Sequence, residues 1–243
     1  MPPVDIAIAE TVKFVERFTP PAVSVLEVGC GEGDLALALA HRSLQVLGVD
    51  VDEAAVAATR AKGVPAVHID FLKYTADPFA VVLFTRSLHH IHPIAAAVRK
   101  AYELTCPGGA LIVEDFAAEE ADEKTVAWRY DAEMRLKENH PDLYAPEQGR
   151  GQKTGTMEEW QQHFTKHNVT PGKIMQATIE SQYGAVIVER APYLYRYVIA
   201  KVRCAERAEE TAAQFLTEEM ELIARGTVLP IGLRIVARRM ADR

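Results

Sequence analysis

The sequence predicts an α/β protein built on a doubly wound, mostly parallel sheet, and three of its features say so. Short apolar runs alternate with helical segments through the first hundred or so residues, with brief connections between them. That rhythm belongs to a parallel sheet covered on both faces. The runs are apolar over most of their length, with no strict alternation, as strands buried on both faces require. A glycine-rich turn, Gly29-Cys30-Gly31-Glu32-Gly33, separates the first run from the first alanine/leucine helix.

Taken in order, residues 5–18 read as an amphipathic helix that ends before Pro20-Pro21. Residues 23–28 form the first strand, and a helix follows the glycine turn over about 34–41. Residues 44–49 are the second strand, with Asp52 as N-cap of the helix after it. Residues 65–69 and 79–84 give two more strands. A helix over 94–105 opens at Pro93 and stops before Pro107-Gly108-Gly109, which leads into a strand at 110–113. Beyond Phe116 the rhythm changes. Residues 118–138 are charged and helical, and 139–155 hold enough glycine and proline for a loop. Thr156-Met157-Glu158-Glu159 matches a capping box that opens a helix to about His167. Strand-like stretches follow at about 174–189 and 193–202, then a long amphipathic helix over about 204–225 and a final strand at 229–237.

With 243 residues and 49% apolar composition, the chain can bury one substantial core. A net charge of −7, with no basic run, excludes a partner held mainly through phosphate charge, so no nucleic acid is expected. The first residues lack the basic-then-apolar pattern of a secretion signal, and no apolar run approaches the ~20 residues that span a bilayer. The expectation is a cytoplasmic protein without a membrane partner, either monomer or homodimer. Cys30, Cys106 and Cys204, odd in number and far apart, do not read as a disulfide framework.

The glycine turn carries the chemistry. Glycines at the end of a strand let the backbone approach a ligand, and the helix that follows offers unpaired N–H groups. Dinucleotide sites use the same logic, but their fingerprint needs Gly or Ala where this chain has Asp34. Glu27, two places before the first glycine, also points away from a dinucleotide.

The run Val25-Leu26-Glu27-Val28-Gly29-Cys30-Gly31-Glu32-Gly33 resembles motif I of the class I S-adenosylmethionine-dependent methyltransferases, in their small-molecule, type 11/25-like form. The resemblance covers residues 22–116 well and the rest loosely. It implies a Rossmann-like, seven-stranded sheet with an antiparallel last strand and a helical cap insertion. It divides a single domain into an N-terminal helix (1–20), a cofactor-binding core (22–116), a substrate cap with the sixth strand (117–203), and a C-terminal helix and strand (204–243). The implied cofactor is S-adenosylmethionine, released as S-adenosylhomocysteine. Glu27 would help hold the methionine amino group, with Gly29, Cys30, Gly31 and Gly33 forming the turn. Asp50 would accept both ribose hydroxyls, with Val51 beside it. Asp70 would bond the adenine amino group with Phe71 against the ring, while Asp52 is more simply a helix cap. The segment Thr85-Arg86-Ser87-Leu88-His89-His90-Ile91-His92 would line cofactor and substrate, with Arg86 on the cofactor side. One departure is Ala80, where many members carry an acidic residue.

Other members of the fold are distinguished by what is missing. Thr85-Arg86-Ser87-Leu88 is not the Asn/Asp-Pro-Pro-Tyr/Phe tetrapeptide of amide and adenine methyltransferases. Glu114-Asp115 reads as solvated carboxylates at a strand end, and His163 and His167 as a solvated helix face, so no metal is expected.

The acceptor side is less specified. Methyl transfer from a sulfonium is an in-line displacement, so alignment is the protein's main task, and a base is needed only for a protonated nucleophile. His89 and His90 are the candidate bases, ahead of His92, which turns the chain toward Pro93. Trp128, Tyr130, Met134, Tyr144 and Trp160 would furnish the cap. With residues 193–202 as a strand, Tyr193, Tyr195 and Tyr197 would share one face and Arg196 the other. Arg190 and Arg196 read either as a carboxylate clamp or as solvated edge residues. The resulting expectation is methyl transfer to an O, N or C nucleophile of a small molecule. The alternatives are a non-methylating enzyme that uses the same cofactor, or a protein methyltransferase.

Overall fold

A computed structural model describes residues 4–145, 155–202 and 207–241; Cys204 and most of the expected 139–155 loop lie outside them. The elements in chain order are α1 (Val4–Glu16), β1 (Ser24–Val28), α2 (Asp34–Ala40), β2 (Gln45–Asp50), α3 (Glu53–Ala61), β3 (Ala66–His68), β4 (Phe79–Thr85), α4 (Ile94–Glu103) and β5 (Thr105–Phe116). They continue with α5 (Glu123–Asn139), α6 (Met157–Lys166), α7 (Gly172–Tyr183), β6 (Val186–Ala191), α8 (Tyr195–Ile199), α9 (Ala208–Ala224) and β7 (Gly232–Arg238). The sheet runs β3-β2-β1-β4-β5-β7-β6, with six strands parallel and β7 antiparallel, which is the expected doubly wound Rossmann-like class. The chain forms two compact units, one of Glu10–Phe116, Thr170–Glu189 and Leu233–Arg243, the other of Met1–Ala9, Ala117–Val169 and Arg190–Gly232.

In the first unit, β1 sits between β2 and β4, in register Leu26↔Leu47 and Leu26↔Val82. Val25 to Val28 and Val81 to Phe84 are buried at every position, as their apolar runs require, and the first of them carries Glu27 into the interior with it. One face of α4 (Ala97, Val98, Ala101) and the Met175, Ile179 and Tyr183 stripe of α7 join Leu26, Val28, Phe84 and Leu111 in the core. Asp52 caps α3 by accepting the Ala54 N–H at 2.8 Å, as its position predicts.

Two segments correct the sequence reading here. Residues 172–183 are helical, not the first part of a strand at 174–189. Met175, Ile179 and Tyr183 fall four apart, a helical stripe hidden among β-branched neighbours. Pro107-Gly108-Gly109 does not precede β5 but loops out of it: Thr105 pairs with Phe79 and Ala110 with Val81, so the breaker is spent on a bulge.

The second unit is mainly helical. Thr156 caps α6 through the Glu159 N–H at 3.2 Å, completing the predicted capping box on that side. Residues 195–199 form α8, not a strand, so Tyr193, Tyr195 and Tyr197 do not share a strand face. The cause is tertiary. Glu219 of α9, fully buried, accepts the N–H groups of Tyr193, Leu194 and Tyr195 at 2.7, 3.0 and 2.7 Å, which satisfies the start of a helix instead of a strand ladder. Arg190 is ion-paired with Glu120 at 2.6 Å instead of standing free as a clamp.

Candidate functional site

Beyond the carboxyl ends of β1, β2, β3 and β4 the first unit opens a cleft of about 440 Å³. This is the end of the sheet at which open α/β folds bind ligands. Gly29, Asp50, Val51, Asp70, Phe71, Arg86 and His90 line it, with Ser87, Ile91 and His92 of the expected 85–92 segment and two residues that sequence reading passed over, Ile69 and Leu72.

The glycine turn is tied to β2, because the Gly29 and Cys30 N–H groups both donate to the Val49 carbonyl, at 2.8 and 3.2 Å. Gly29 has φ +74°, and a Cβ there would lie 2.5 Å from the Ser87 Cβ. Gly33 has φ +80°, and its Cβ would collide with the Thr59 side chain at 2.7 Å. Both positions need glycine for conformation and for space. A Cβ at Gly31, in contrast, would meet no heavy atom within 4 Å, so the backbone there faces open space. Cys30 turns its side chain into a small cluster with Val56 and Ala66, and burial pushes its thiol up to about 11.

Asp50, at the end of β2, uses one lone pair of each oxygen on the protein: Oδ2 accepts the Gly31 N–H at 2.8 Å and Oδ1 the Asp52 N–H at 3.0 Å. The remaining lone pairs stay available to a ligand. Val51 next to it is 68% exposed, a large apolar side chain set in water at the cleft. Asp70 accepts the Leu72 N–H at 3.0 Å and thereby caps the short turn Phe71–Lys73. Phe71 is buried, edge-on to Phe84 at 5.4 Å, so Ile69 and Leu72 supply the more open apolar wall.

Glu27 is 1% exposed, and its Oε2 has no hydrogen-bond partner. Burial pushes its carboxyl up to about 8, opposed by the Arg86 charge and the Thr85 hydroxyl and reinforced by Asp50. A buried oxygen without a partner is costly, and Arg86 and Asp50, the charges it senses, both line the cleft. Arg86 is exposed and adopts φ +57°, uncommon for a residue with a side chain and concentrated at functional sites.

The histidines separate. His90 is exposed and lines the cleft, whereas His89 is 4% exposed and lies behind it, the two rings 4.0 Å apart. His89 Nδ1 is 2.7 Å from Asp115 Oδ1. This corrects the reading of Glu114-Asp115 as solvated carboxylates, since both are buried. Glu114 takes the Arg234 guanidinium through Nε and Nη2 at 2.9 and 2.7 Å and the Thr11 hydroxyl on its other oxygen. Nothing adjacent in sequence announces these partners; they arrive from 103 and 120 residues away. Among the described residues no group of three or more His, Cys, Asp or Glu side chains could hold a metal ion, and no helix is long and apolar enough to cross a membrane.

Residues 6–148 match a methyltransferase domain family. A ubiquinone biosynthesis O-methyltransferase of Pseudomonas paraeruginosa is 33% identical over 107 residues, covering 40% of this chain and 46% of that protein. The same-named protein of Hahella chejuensis is 31% identical over 105 residues, covering 40% and 44%. The chain thus spans about half the length of these curated relatives. Among solved structures, a Haemonchus contortus phosphoethanolamine N-methyltransferase 2 in complex with S-adenosylhomocysteine superposes with a TM-score of 0.61 at 14% identity, over 96% of this chain and 53% of that one. An S-adenosylmethionine-dependent methyltransferase of Mesorhizobium loti gives 0.57 at 18% identity, over 93% and 96%. At these identities the structures establish the fold. The family match over more than half of the chain, on this fold, places the protein among the class I methyltransferases, the family whose cofactor is S-adenosylmethionine.

Proposed function

We propose that the chain binds S-adenosylmethionine in the cleft and methylates a hydroxyl oxygen of a small molecule, with His90 as base. The observation that carries this reading is the buried, half-satisfied Glu27 carboxyl next to Arg86 and Asp50. It suits an ammonium group, whose charge would restore its ionised form. The other residues fit the same ligand. Asp50 has lone pairs for a ribose diol, Asp70 an acceptor for an exocyclic amine, and Val51, Ile69 and Leu72 an apolar setting for a base ring. Bound S-adenosylmethionine supplies an already activated methyl group for in-line displacement. The chain's own residues then have three tasks: to hold that ligand rigidly, to align the acceptor, and to take up a proton.

His90 supports an oxygen acceptor, because a hydroxyl arrives protonated and an imidazole at the cleft can remove that proton near neutrality. His90 would take up the hydroxyl's proton, while S-adenosylmethionine held by Glu27, Asp50 and Asp70 would supply the methyl group to that oxygen and leave as S-adenosylhomocysteine. The names of the O-methyltransferase relatives point the same way. A charge of −7 without a basic run favours a small molecule over nucleic acid.

The test is to incubate the protein with S-adenosylmethionine and a panel of phenols, catechols and aliphatic alcohols, reading both products by mass spectrometry. The expected result is S-adenosylhomocysteine in equal amount to a product heavier by one CH2. Product formed without S-adenosylhomocysteine would show a non-methylating enzyme. No saturable S-adenosylhomocysteine binding by calorimetry would refute the cofactor site itself.

A further inference from the structure

We infer that Asp115 is a positioning residue for the methyl-transfer step: it fixes the tautomer and orientation of His89, and the fixed His89 ring backs the His90 ring at the cleft. The inference rests on the reading of His90 as base. Asp115 lies near the end of β5 and is 0% exposed. A carboxylate so buried is tolerated only when it is well hydrogen-bonded. Its donors are the His89 ring at 2.7 Å, the Phe116 N–H at 3.0 Å and the His89 N–H at 3.4 Å. Two of the three come from one histidine.

A carboxylate only accepts, so the 2.7 Å contact puts a proton on His89 Nδ1. The ring is held from other sides as well. Phe116 meets it edge-on at 4.9 Å, and the backbone that carries it is fixed by the Thr170 N–H, which donates to the His89 carbonyl at 3.0 Å. A side chain clamped in this way is a rigid surface, and the His90 ring lies 4.0 Å from it. When His90 takes up the acceptor's proton, the new cation forms beside this ring, with the Asp115 carboxylate behind it. The other charged or titratable groups facing the cleft are Asp50, Asp70, Arg86 and His92, with Glu27 buried near Arg86. Asp115 differs from them in acting through His89, out of reach of any ligand in the cleft.

The test has two arms. In the wild-type protein, labelled with 15N in its imidazoles, long-range proton–nitrogen spectra should show His89 as the Nδ1–H tautomer. An Nε2–H tautomer, or a mixture, overturns the proposal whether or not any variant folds. In Asp115→Asn, kcat should fall at least about tenfold, while KM for S-adenosylmethionine and the Kd of S-adenosylhomocysteine stay within twofold. A folded Asp115→Asn variant with kcat within twofold of wild type overturns the proposal and leaves Asp115 structural. Absence of methyl transfer by wild type, with the expected tautomer present, instead overturns the function proposed above and the catalytic role with it, so the two failures are distinguishable.

Discussion

Glu27 allows the most quantitative check of the proposed cofactor site. In the ligand-free protein its carboxyl is pushed up to about 8, chiefly by burial, so at pH 7 it is mostly protonated. A ligand ammonium that binds the ionised form must first displace that proton. The apparent dissociation constant is then multiplied by one plus ten to the power of the pKa minus the pH, roughly 100-fold at pH 6 and about twofold at pH 8. Affinity for S-adenosylhomocysteine should therefore rise ~50-fold between pH 6 and 8, with close to one proton released per ligand at pH 7. Isothermal titration calorimetry in buffers of different ionisation enthalpy measures both quantities.

Glu27→Gln should weaken binding and abolish the pH slope, which separates Glu27 from every other group in the cleft. Linkage gives a second signature in the ligand-free protein. Because the folded-state value lies above the ordinary 4.5, the group's contribution to stability is intact below about pH 4.5 and is lost as pH rises through about 8. Between those limits the wild type should lose about 1.4 kcal/mol per pH unit relative to Glu27→Gln, read from urea midpoints. Wild-type affinity constant within twofold from pH 6 to 8 would refute the assignment.

Five further outcomes follow from the same geometry. Asp50→Ala should weaken S-adenosylhomocysteine by about 1.5–3 kcal/mol by calorimetry, the usual worth of hydrogen bonds to a charged group. Gly29→Ala should destabilise the ligand-free protein by roughly 2–4 kcal/mol, since a Cβ 2.5 Å from the Ser87 Cβ adds overpacking to an unfavourable φ. Gly31→Ala, with open space at its Cβ, should cost clearly less in the same denaturation series. Glu219→Ala strands three buried N–H groups and should cost about 3 kcal/mol or more, seen as a lower Tm. His90→Ala should lower turnover by ~10²–10⁴-fold with cofactor affinity near wild type; retention of a third of wild-type turnover would remove His90 as base.

The sheet's centre, the glycine turn and the carboxylate that ends β2 at the cleft were legible in the chain alone. Residues 25–28 and 81–84 are apolar runs that only a doubly covered strand explains, apart from the buried Glu27. Gly29 and Gly33 stand where φ is positive, and Asp50 ends β2 at the cleft. These are short-range properties, since strand character and turn conformation depend on neighbours a few residues away. Tertiary structure decided which polar groups are buried and what they face. Glu219 looks like one more acid on an amphipathic helix until three N–H groups of residues 193–195 reach it and turn an expected strand into α8. His89 and His90 are indistinguishable neighbours in sequence, yet one is locked to Asp115 and the other lines the cleft. Glu114 finds Arg234 across 120 residues. A carboxylate's fate depends on whether donors converge on it after folding, and no local pattern encodes a partner that only the packed sheet brings within hydrogen-bond distance.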